Sequence, residues 1–408
     1  MEIRAFQKSD EPPAPPARRV DAVDVLRGIV MVLMVLDHTR DYFGDASLNP
    51  TDLSQASPAL FMTRWVTHFC APGFAFLAGT GAYLAGSRGR SRGDLAMFLA
   101  TRGLWLIFLE VTVVRLGLFF DPVGAPVILT VLWSIGASFI VLAGLVFLPS
   151  RAVGTLGVLL IATHGLADGF SPDSGTAAVQ AARAILLGPR GVLPLPGGIT
   201  AVVGYPLLPW LGVVAAGYGF GEVIRLEVAR RRRVMGIAGV AMTAAFVVFR
   251  ALNRYGDPAP WSHQHSAVFT FLSFLNCTKY PPSLLYLLMT LGPALIFLAL
   301  VDRHRFNGTN PLIVFGRVPL FYFIAHFYLI HILSFFSTWL RYGARSYPIL
   351  FSSPPAMGGP ENLFPADFGY SLWVVYAVWL FVVISLYPLC RRFAQYKADH
   401  QYWWLSYL

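Results

Sequence analysis

Charge is what this sequence has least of. Of its 408 residues only 13% are Asp, Glu, Lys or Arg, about half of the roughly 25% found in an ordinary soluble domain. In turn 56% are hydrophobic and the mean hydropathy is +0.60. So little charge, with so many long apolar runs, excludes an ordinary soluble enzyme and indicates a chain that crosses a bilayer many times. Cysteine is also scarce: Cys70, Cys277 and Cys390 show no CxxC spacing and support neither a disulfide framework nor a zinc site. The first 20 residues ("SDEPPAPPARR" among them) hold no apolar core and no small-residue cleavage site, so the first span is expected to serve as an uncleaved signal anchor. No internal repeat is evident, which weakens an inverted-repeat transporter. The net charge of +10 would suggest nucleic acid in a soluble protein. In a membrane protein Lys and Arg gather in cytoplasmic loops for topological reasons, so no nucleic-acid partner is expected.

A spanning helix needs about 20 mostly apolar residues. Windows of that length give roughly ten candidates, centred near residues 30, 73, 107, 137, 159, 211, 243, 291, 325 and 378. The fifth is interrupted early by "GLADGF", and an apolar patch near 180 suits an interfacial helix. Basic residues stand before the first span (Arg18, Arg19) and in every second gap: "SRGRSRGD", Arg151, "RLEVARRRR", "DRHR" and "RRFAQYK". The other gaps, such as "GDASLNPTD", "DPVGAP", "LADGFSPDSG" and "SSPPAMGGPEN", are acidic, small or Pro-rich. Alternation of this kind follows the positive-inside rule. The expected fold is an all-α polytopic membrane helix bundle of about ten transmembrane helices, with both termini cytoplasmic. A polar tail over 1–20, one helical unit over 21–395 and a second tail over 396–408 make up the chain.

The first span, "VDVLRGIVMVLMVLDHTRDYF", is not a plain anchor. Arg27 and His38 are eleven positions apart, which returns to within roughly 20° of one helix face, about 16 Å further along the axis. Asp24 lies three positions before Arg27 and Asp41 three after His38, so each can hold its neighbour by an i,i+3 pair. A carboxylate on one imidazole nitrogen leaves the other free as a base. The blander alternative is that Arg27 and His38 mark the two ends of the helix and snorkel. Asp37 and Arg40 flank the histidine as candidate substrate contacts.

The second span opens with Arg64, His68 and Cys70 on the same side as His38. His68 is open to three roles: a second base, a substrate ligand or a satisfied helix-start residue. The glycines at 79, 81 and 86, like those at 217, 219 and 221, suit helix packing rather than a phosphate loop. Further ionisable groups at membrane depth are Arg102, Glu110 and Arg115, then His326 and His331; such groups usually face a cavity or a partner. Glu110 is expected to neutralise one of the arginines. His326, two and a half turns beyond Arg317 in an aromatic span, is a candidate for lining a site. His326 and His331 lie about 140° apart on a helix and make no ready metal pair. His263 and His265 in "WSHQHS" lack a third ligand, so no metal is expected. Lys279 in "FLNCTKYPPS", at a span start, is either a substrate contact or an interfacial anchor.

Six stretches together resemble a known family: "VDVLRGIVMVLMVLDHTRDYF", "PALFMTRWVTHFCAPGFAFLAG", "YPLLPWLGVVAAGYGFG", "KYPPSLLYLLMTLGPALIFLAL", "FGRVPLFYFIAHFYLIH" and the closing "WWLSYL". They resemble a bacterial membrane family with a catalytic domain like that of the lysosomal heparan-α-glucosaminide N-acetyltransferase. The likeness to the lysosomal enzyme itself is concentrated in the first two spans. The Arg27-to-His38 spacing is also similar to the signature of the acyltransferase-3 family of O-acetylating membrane enzymes. The resemblance implies a bacterial inner-membrane enzyme, with no bound cofactor, using acetyl-CoA or another acyl-CoA as co-substrate. It implies transfer of the acyl group across the bilayer to an amine or hydroxyl of a glycan or glycolipid.

On that reading His38, Arg27, Asp41 and His68 are catalytic candidates. Asp37, Arg40, Arg64, Lys279, Arg317 and His326 are substrate-binding candidates. Arg27 or another buried cation would face the developing oxyanion. The clusters at Arg88, Arg90 and Arg92 and at Arg230 to Arg233 would meet the phosphates of CoA, or serve orientation alone. The chain departs from the lysosomal enzyme in the loop "FGDASLNPTDLSQ", which has no histidine where that enzyme carries its active-site one. The role therefore stays open between His38 and His68. The rival reading is a transporter or permease for a polar solute, with the buried ionisable groups lining its path; a blander one is an envelope scaffold. Oligomeric state is open too, since small-residue faces make a homo-oligomer easy to build.

Overall fold

A computed structural model describes residues 20–408 apart from 123, 170–175, 189–190, 195–198, 352–354, 356–362 and 366. The expected N-terminal tail with Arg18 and Arg19, and most of the "SSPPAMGGPEN" loop, lie outside the described residues.

The helices begin and break where local chemistry dictates. The first, α1, spans Asp21–Phe43, with Asp21 and Asp24 in its first turn and Arg40 in its last, a distribution that complements the helix dipole. Ser57 caps α2 (Pro58–Thr67) by accepting from the Leu60 amide at 3.2 Å. After His68 and Phe69 the chain resumes as α3 (Cys70–Gly86). Ser91 caps α4 (Arg92–Leu109), which passes through a π-helical turn at Glu110–Val114 into α5 (Arg115–Phe119). Then come α6 (Val131–Leu145), α7 (Ser150–Thr163), α8 (Ala177–Leu186) and α9 (Leu207–Ile224). They are followed by α10 (Val228–Leu252), α11 (Ala267–Leu275) and α12 (Leu284–Val301).

The stretch that holds Arg317 and His326 is not one helix. A residue before proline is pushed out of helical conformation, and Val318, at φ −129° and ψ 50°, separates α13 (Pro311–Arg317) from α14 (Pro319–Tyr342). The short α15 (Tyr347–Leu350) and the long α16 (Leu372–Asp399) complete the order, α16 running past the boundary expected at 395.

Among the described residues eight helical stretches are long and apolar enough to cross a membrane, each at one of the expected centres. The two remaining centres, near 30 and 137, fall on α1, with 23 residues, and α6, with 15. The protein is thus an all-α polytopic membrane bundle. The apolar patch near 180 forms α8.

One element was not anticipated. Strands β1 (Val127–Leu129), β2 (Val192–Pro194) and β3 (Thr200–Val203) form a small sheet of order β1-β3-β2, β1 parallel and β2 antiparallel to β3. It joins two non-basic gaps, those after α5 and before α9, so both lie on one side of the bundle. The basic gaps meet one another likewise: Arg92 donates to the Phe147 carbonyl, and Arg231 pairs bidentately with Asp302 at 2.8 and 2.9 Å.

Helix α1 is the hub, packed against α13, α16, α14 and α3. Around it, helix pairs touch backbone to backbone through glycine. A Cβ on Gly79 would stand 1.9 Å from the Val214 carbonyl oxygen of α9, and one on Gly217 2.1 Å from that of Phe76 in α3. Of the six glycines expected to pack helices, Gly81 alone meets nothing within 4 Å; it borders the cavity described next.

Candidate functional site

Both expected i,i+3 pairs of α1 form. At one end Arg27 Nη1 donates to Asp24 at 3.1 Å and to the Gly316 carbonyl of α13 at 3.0 Å. At the other, His38 Nδ1 lies 3.5 Å from Asp41 Oδ2.

Around His38 four elements converge. From α14, His326 sets its ring 5.2 Å from that of His38, centroid to centroid, with Phe327 against both. His326 Nδ1 is 3.2 Å from the Tyr322 carbonyl. A carbonyl only accepts, so this nitrogen carries the proton and Nε2 is left with a lone pair. Nε2 is buried and has no hydrogen-bond partner among the described residues. From α2 comes Arg64, which donates to both oxygens of Asp37 at 2.5 and 2.6 Å. Arg40 bridges Asp37 at 3.1 Å and Asp41 at 2.5 Å. Lys279, in the segment before α12, brings its ammonium 3.7 Å from Asp37. His68 is buried at the end of α2, its carbonyl accepting from Tyr286 Oη at 2.8 Å and its ring edge-on to that tyrosine. It lies within electrostatic reach of Arg64, Lys279 and Asp37.

The Arg27 end opens into a cavity of about 1120 Å³. Arg27, Arg88, Arg90, Arg102, Arg317 and Lys397 face it, and Asp24 is the one acidic residue on its wall among the described residues. The rest of the wall is largely apolar, with Phe74, Leu77, Leu106, Phe139 and Phe323. Arg317 Nε is buried there without a hydrogen-bond partner among the described residues. The segment Trp403–Tyr407 returns along α4: Tyr407 Oη meets Thr101 Oγ1 at 2.8 Å and Arg102 donates to the Ser406 carbonyl.

The structure therefore gathers eight of the ten sequence candidates at the His38 end: His38, Asp41, His68, Asp37, Arg40, Arg64, Lys279 and His326. Arg27 and Arg317 stand in the cavity wall instead, Arg27 about 16 Å along α1 from His38, so the cations gathered on Asp37 next to His38, among the described residues, are Arg40, Arg64 and Lys279. Lys397 was missed because it sits in what reads as a tail, and only the fold of α16 carries it to the cavity. Glu110 does not neutralise an arginine among the described residues. It accepts from the Thr130 amide at 2.8 Å and from the Thr130 hydroxyl, at the start of α6, where free amides and the dipole favour an anion. Arg115 instead donates to loop carbonyls, among them Pro122 at 3.0 Å and Pro126 at 3.3 Å. His331 is held apart by the Gly117 carbonyl at 2.9 Å. No three metal-ligating side chains converge among the described residues.

One family model matches this chain, that described as heparan-alpha-glucosaminide N-acetyltransferase, catalytic, over residues 19–255. The match runs from α1 through α10, well beyond the first two spans, and covers more than half the sequence. It takes in His38, Asp41, Arg64 and the cavity residues Arg27, Arg88, Arg90 and Arg102, and stops short of Lys279 and His326. No curated protein matches the chain.

Proposed function

The chain belongs to the heparan-alpha-glucosaminide N-acetyltransferase catalytic family, and on that premise we propose that it moves an acyl group, acetyl in the first instance, from acyl-CoA to an amine or hydroxyl of a sugar or envelope glycan. The observation that carries this reading is the two-ended construction of α1. A large basic cavity lies at Arg27, and a carboxylate-held imidazole lies about 16 Å further along the same helix face, with a second imidazole beside it.

The division of labour follows from the chemistry. CoA carries several phosphates, and guanidinium groups bind phosphate through paired charge-assisted hydrogen bonds. Arg27, Arg88, Arg90, Arg102 and Arg317 supply them, while the apolar part of the cavity wall suits the uncharged arm that bears the thioester. By the positive-inside rule the cavity then opens to the cytoplasm of a bacterial inner membrane and the His38 end faces outward.

Asp41 holds His38 Nδ1–H, which leaves Nε2 as the base. The acceptor nitrogen or oxygen attacks the thioester carbonyl and gives its proton to that imidazole. Collapse of the tetrahedral intermediate breaks the C–S bond, and the proton leaves with the thiolate of CoA. His326 Nε2, a lone pair without a partner, can take the same proton or accept the acyl group first. Arg64, held by Asp37 one residue before His38, is the cation left to stabilise the oxyanion.

The test is release of free CoA from acetyl-CoA by purified protein in detergent, with and without amino sugars and glycans. Turnover that is lost in a folded His38→Ala variant is the expected result. A folded protein that neither binds nor consumes acetyl-CoA would instead favour solute transport, the reading in which the same buried charges line a path.

A further inference from the structure

The charges at the His38 end do not balance. Among the described residues three cationic heads, Arg40, Arg64 and Lys279, share two carboxylates, Asp37 and Asp41, and one positive charge is left over. It is not equally distributed. Arg64 meets both oxygens of Asp37 through Nη1, at 2.5 and 2.6 Å. Arg40 bridges the two carboxylates through Nη2, while its buried Nη1 has no hydrogen-bond partner among the described residues. Lys279 is 7% exposed, and its ammonium approaches Asp37 no closer than 3.7 Å, beyond hydrogen-bond range. It also lies over the Tyr280 ring, 5.2 Å from its centroid. A buried charge that is incompletely paired is costly and usually serves a function.

We propose that Arg40 Nη1 and Lys279 form an anion subsite, and that the acceptor bears a carboxylate or phosphate close to the amine or hydroxyl that is acylated. This deepens the acyltransferase reading and rests on it for the identity of the bound molecule. The anion belongs to the acceptor because the donor's phosphates have their own basic cavity at the far end of α1, and the acetyl group is neutral. Asp41 ties the subsite to the reacting imidazole: one of its oxygens holds Arg40 and the other faces His38. An acceptor anchored on Arg40 and Lys279 thus presents its neighbouring atoms to His38. The sequence around Lys279 fits such a task, for the lysine stands in a segment pinned by Asp257 at Thr278 and Ser283.

Two arms test this. The first omits acyl-CoA: binding of glucosamine, glucosamine 6-phosphate and an amino-uronic acid to the purified protein is measured by calorimetry. Each anionic sugar is expected to bind at least about tenfold more tightly than glucosamine, the effect of one charge-assisted hydrogen bond. Inorganic phosphate or acetate should compete, and whichever anionic sugar binds better names the anion. Lys279→Met should bring anionic and neutral sugars within about threefold of each other, and Lys279→Arg should restore the gap. The second arm measures transfer, where the same preference should fall in KM rather than kcat. Equal binding and equal KM for neutral and anionic sugars would overturn the proposal. So would a Lys279→Met variant that loses kcat to the same extent on both, since the lysine would then serve the oxyanion. Should the Met variant fail to fold, phosphate competition against the wild-type protein decides alone. Tight anion binding without any transfer would sink the acyltransferase reading and leave the subsite standing.

Discussion

The imidazoles of His38 and His326 lie side by side, ring centroids 5.2 Å apart and planes 34° from each other, although 288 positions separate them in the chain. Each is fixed on one nitrogen, His38 by Asp41 and His326 by the Tyr322 carbonyl. Two oriented bases at one point are more than packing requires. His38→Ala and His326→Ala are each expected to lower transfer by about 10² to 10⁴-fold, the usual worth of a positioned acid–base group. His326→Phe keeps the ring and removes the lone pair. Wild-type turnover in that variant, measured under single-turnover conditions, would reduce His326 to a packing residue.

The cavity arginines should act on the donor and not on the chemical step. Arg317→Gln and Arg102→Gln are expected to raise KM for acyl-CoA by roughly ten- to a hundredfold each, the loss of a hydrogen bond to a charged group, with kcat changed far less. Initial rates against acyl-CoA concentration, at low and high salt, separate the two effects. A drop in kcat alone would place these arginines outside donor binding.

Glycine contacts offer a test of the fold itself. Gly79 and Gly217 let α3 and α9 touch through their backbones, and a methyl group at either would lie about 2 Å from a facing carbonyl oxygen, at 1.9 and 2.1 Å respectively. Neither backbone can retreat without moving a helix, so Gly79→Ala and Gly217→Ala should each cost about 1–3 kcal/mol. Gly81→Ala, two positions along and facing open space, is the matched control and should leave the thermal midpoint in detergent unchanged. Equal midpoints for all three variants would contradict the α3–α9 packing.

Much of this was legible in the sequence, and the reasons differ by element. The span centres follow from hydropathy, because a bilayer imposes a length that any apolar helix must meet. The pairs Asp24–Arg27 and His38–Asp41 follow from helix periodicity alone. What hydropathy does not reveal is where a span breaks: Val318 ends α13 because Pro319 follows it, which leaves Arg317 and His326 on separate helices. Nor does a single sequence reveal which distant charges meet. Nothing local to Lys279 announces Asp37, and nothing in "RRFAQYK" announces that Lys397 faces a cavity. Glu110 was misassigned for the same reason, its partner being the start of another helix.

The segment that carries Lys279 is held from below, and that support is the last thing to test. Asp257 accepts from the Thr278 amide at 2.8 Å, the Thr278 hydroxyl at 2.9 Å and the Ser283 hydroxyl at 2.6 Å. Arg250, 1% exposed, donates to the carbonyls of Phe274 at 2.9 Å, Ser273 at 3.0 Å and Asn276 at 2.8 Å. Asp257→Ala leaves four donors without their acceptor, the Ala259 amide being the fourth, which should cost about 1–3 kcal/mol for each group that stays dry. Stability alone would not distinguish a local brace from a brace that serves the site. The acceptor KM does, because the ammonium of Lys279 is placed by the two pinned residues on either side of it. Asp257→Ala is therefore expected to raise the KM for an anionic acceptor while leaving the KM for acyl-CoA unchanged, the donor cavity being at the opposite end of α1. A variant that is less stable yet binds the acceptor as the wild type does would show that Lys279 is held by Asp37 and Tyr280 instead.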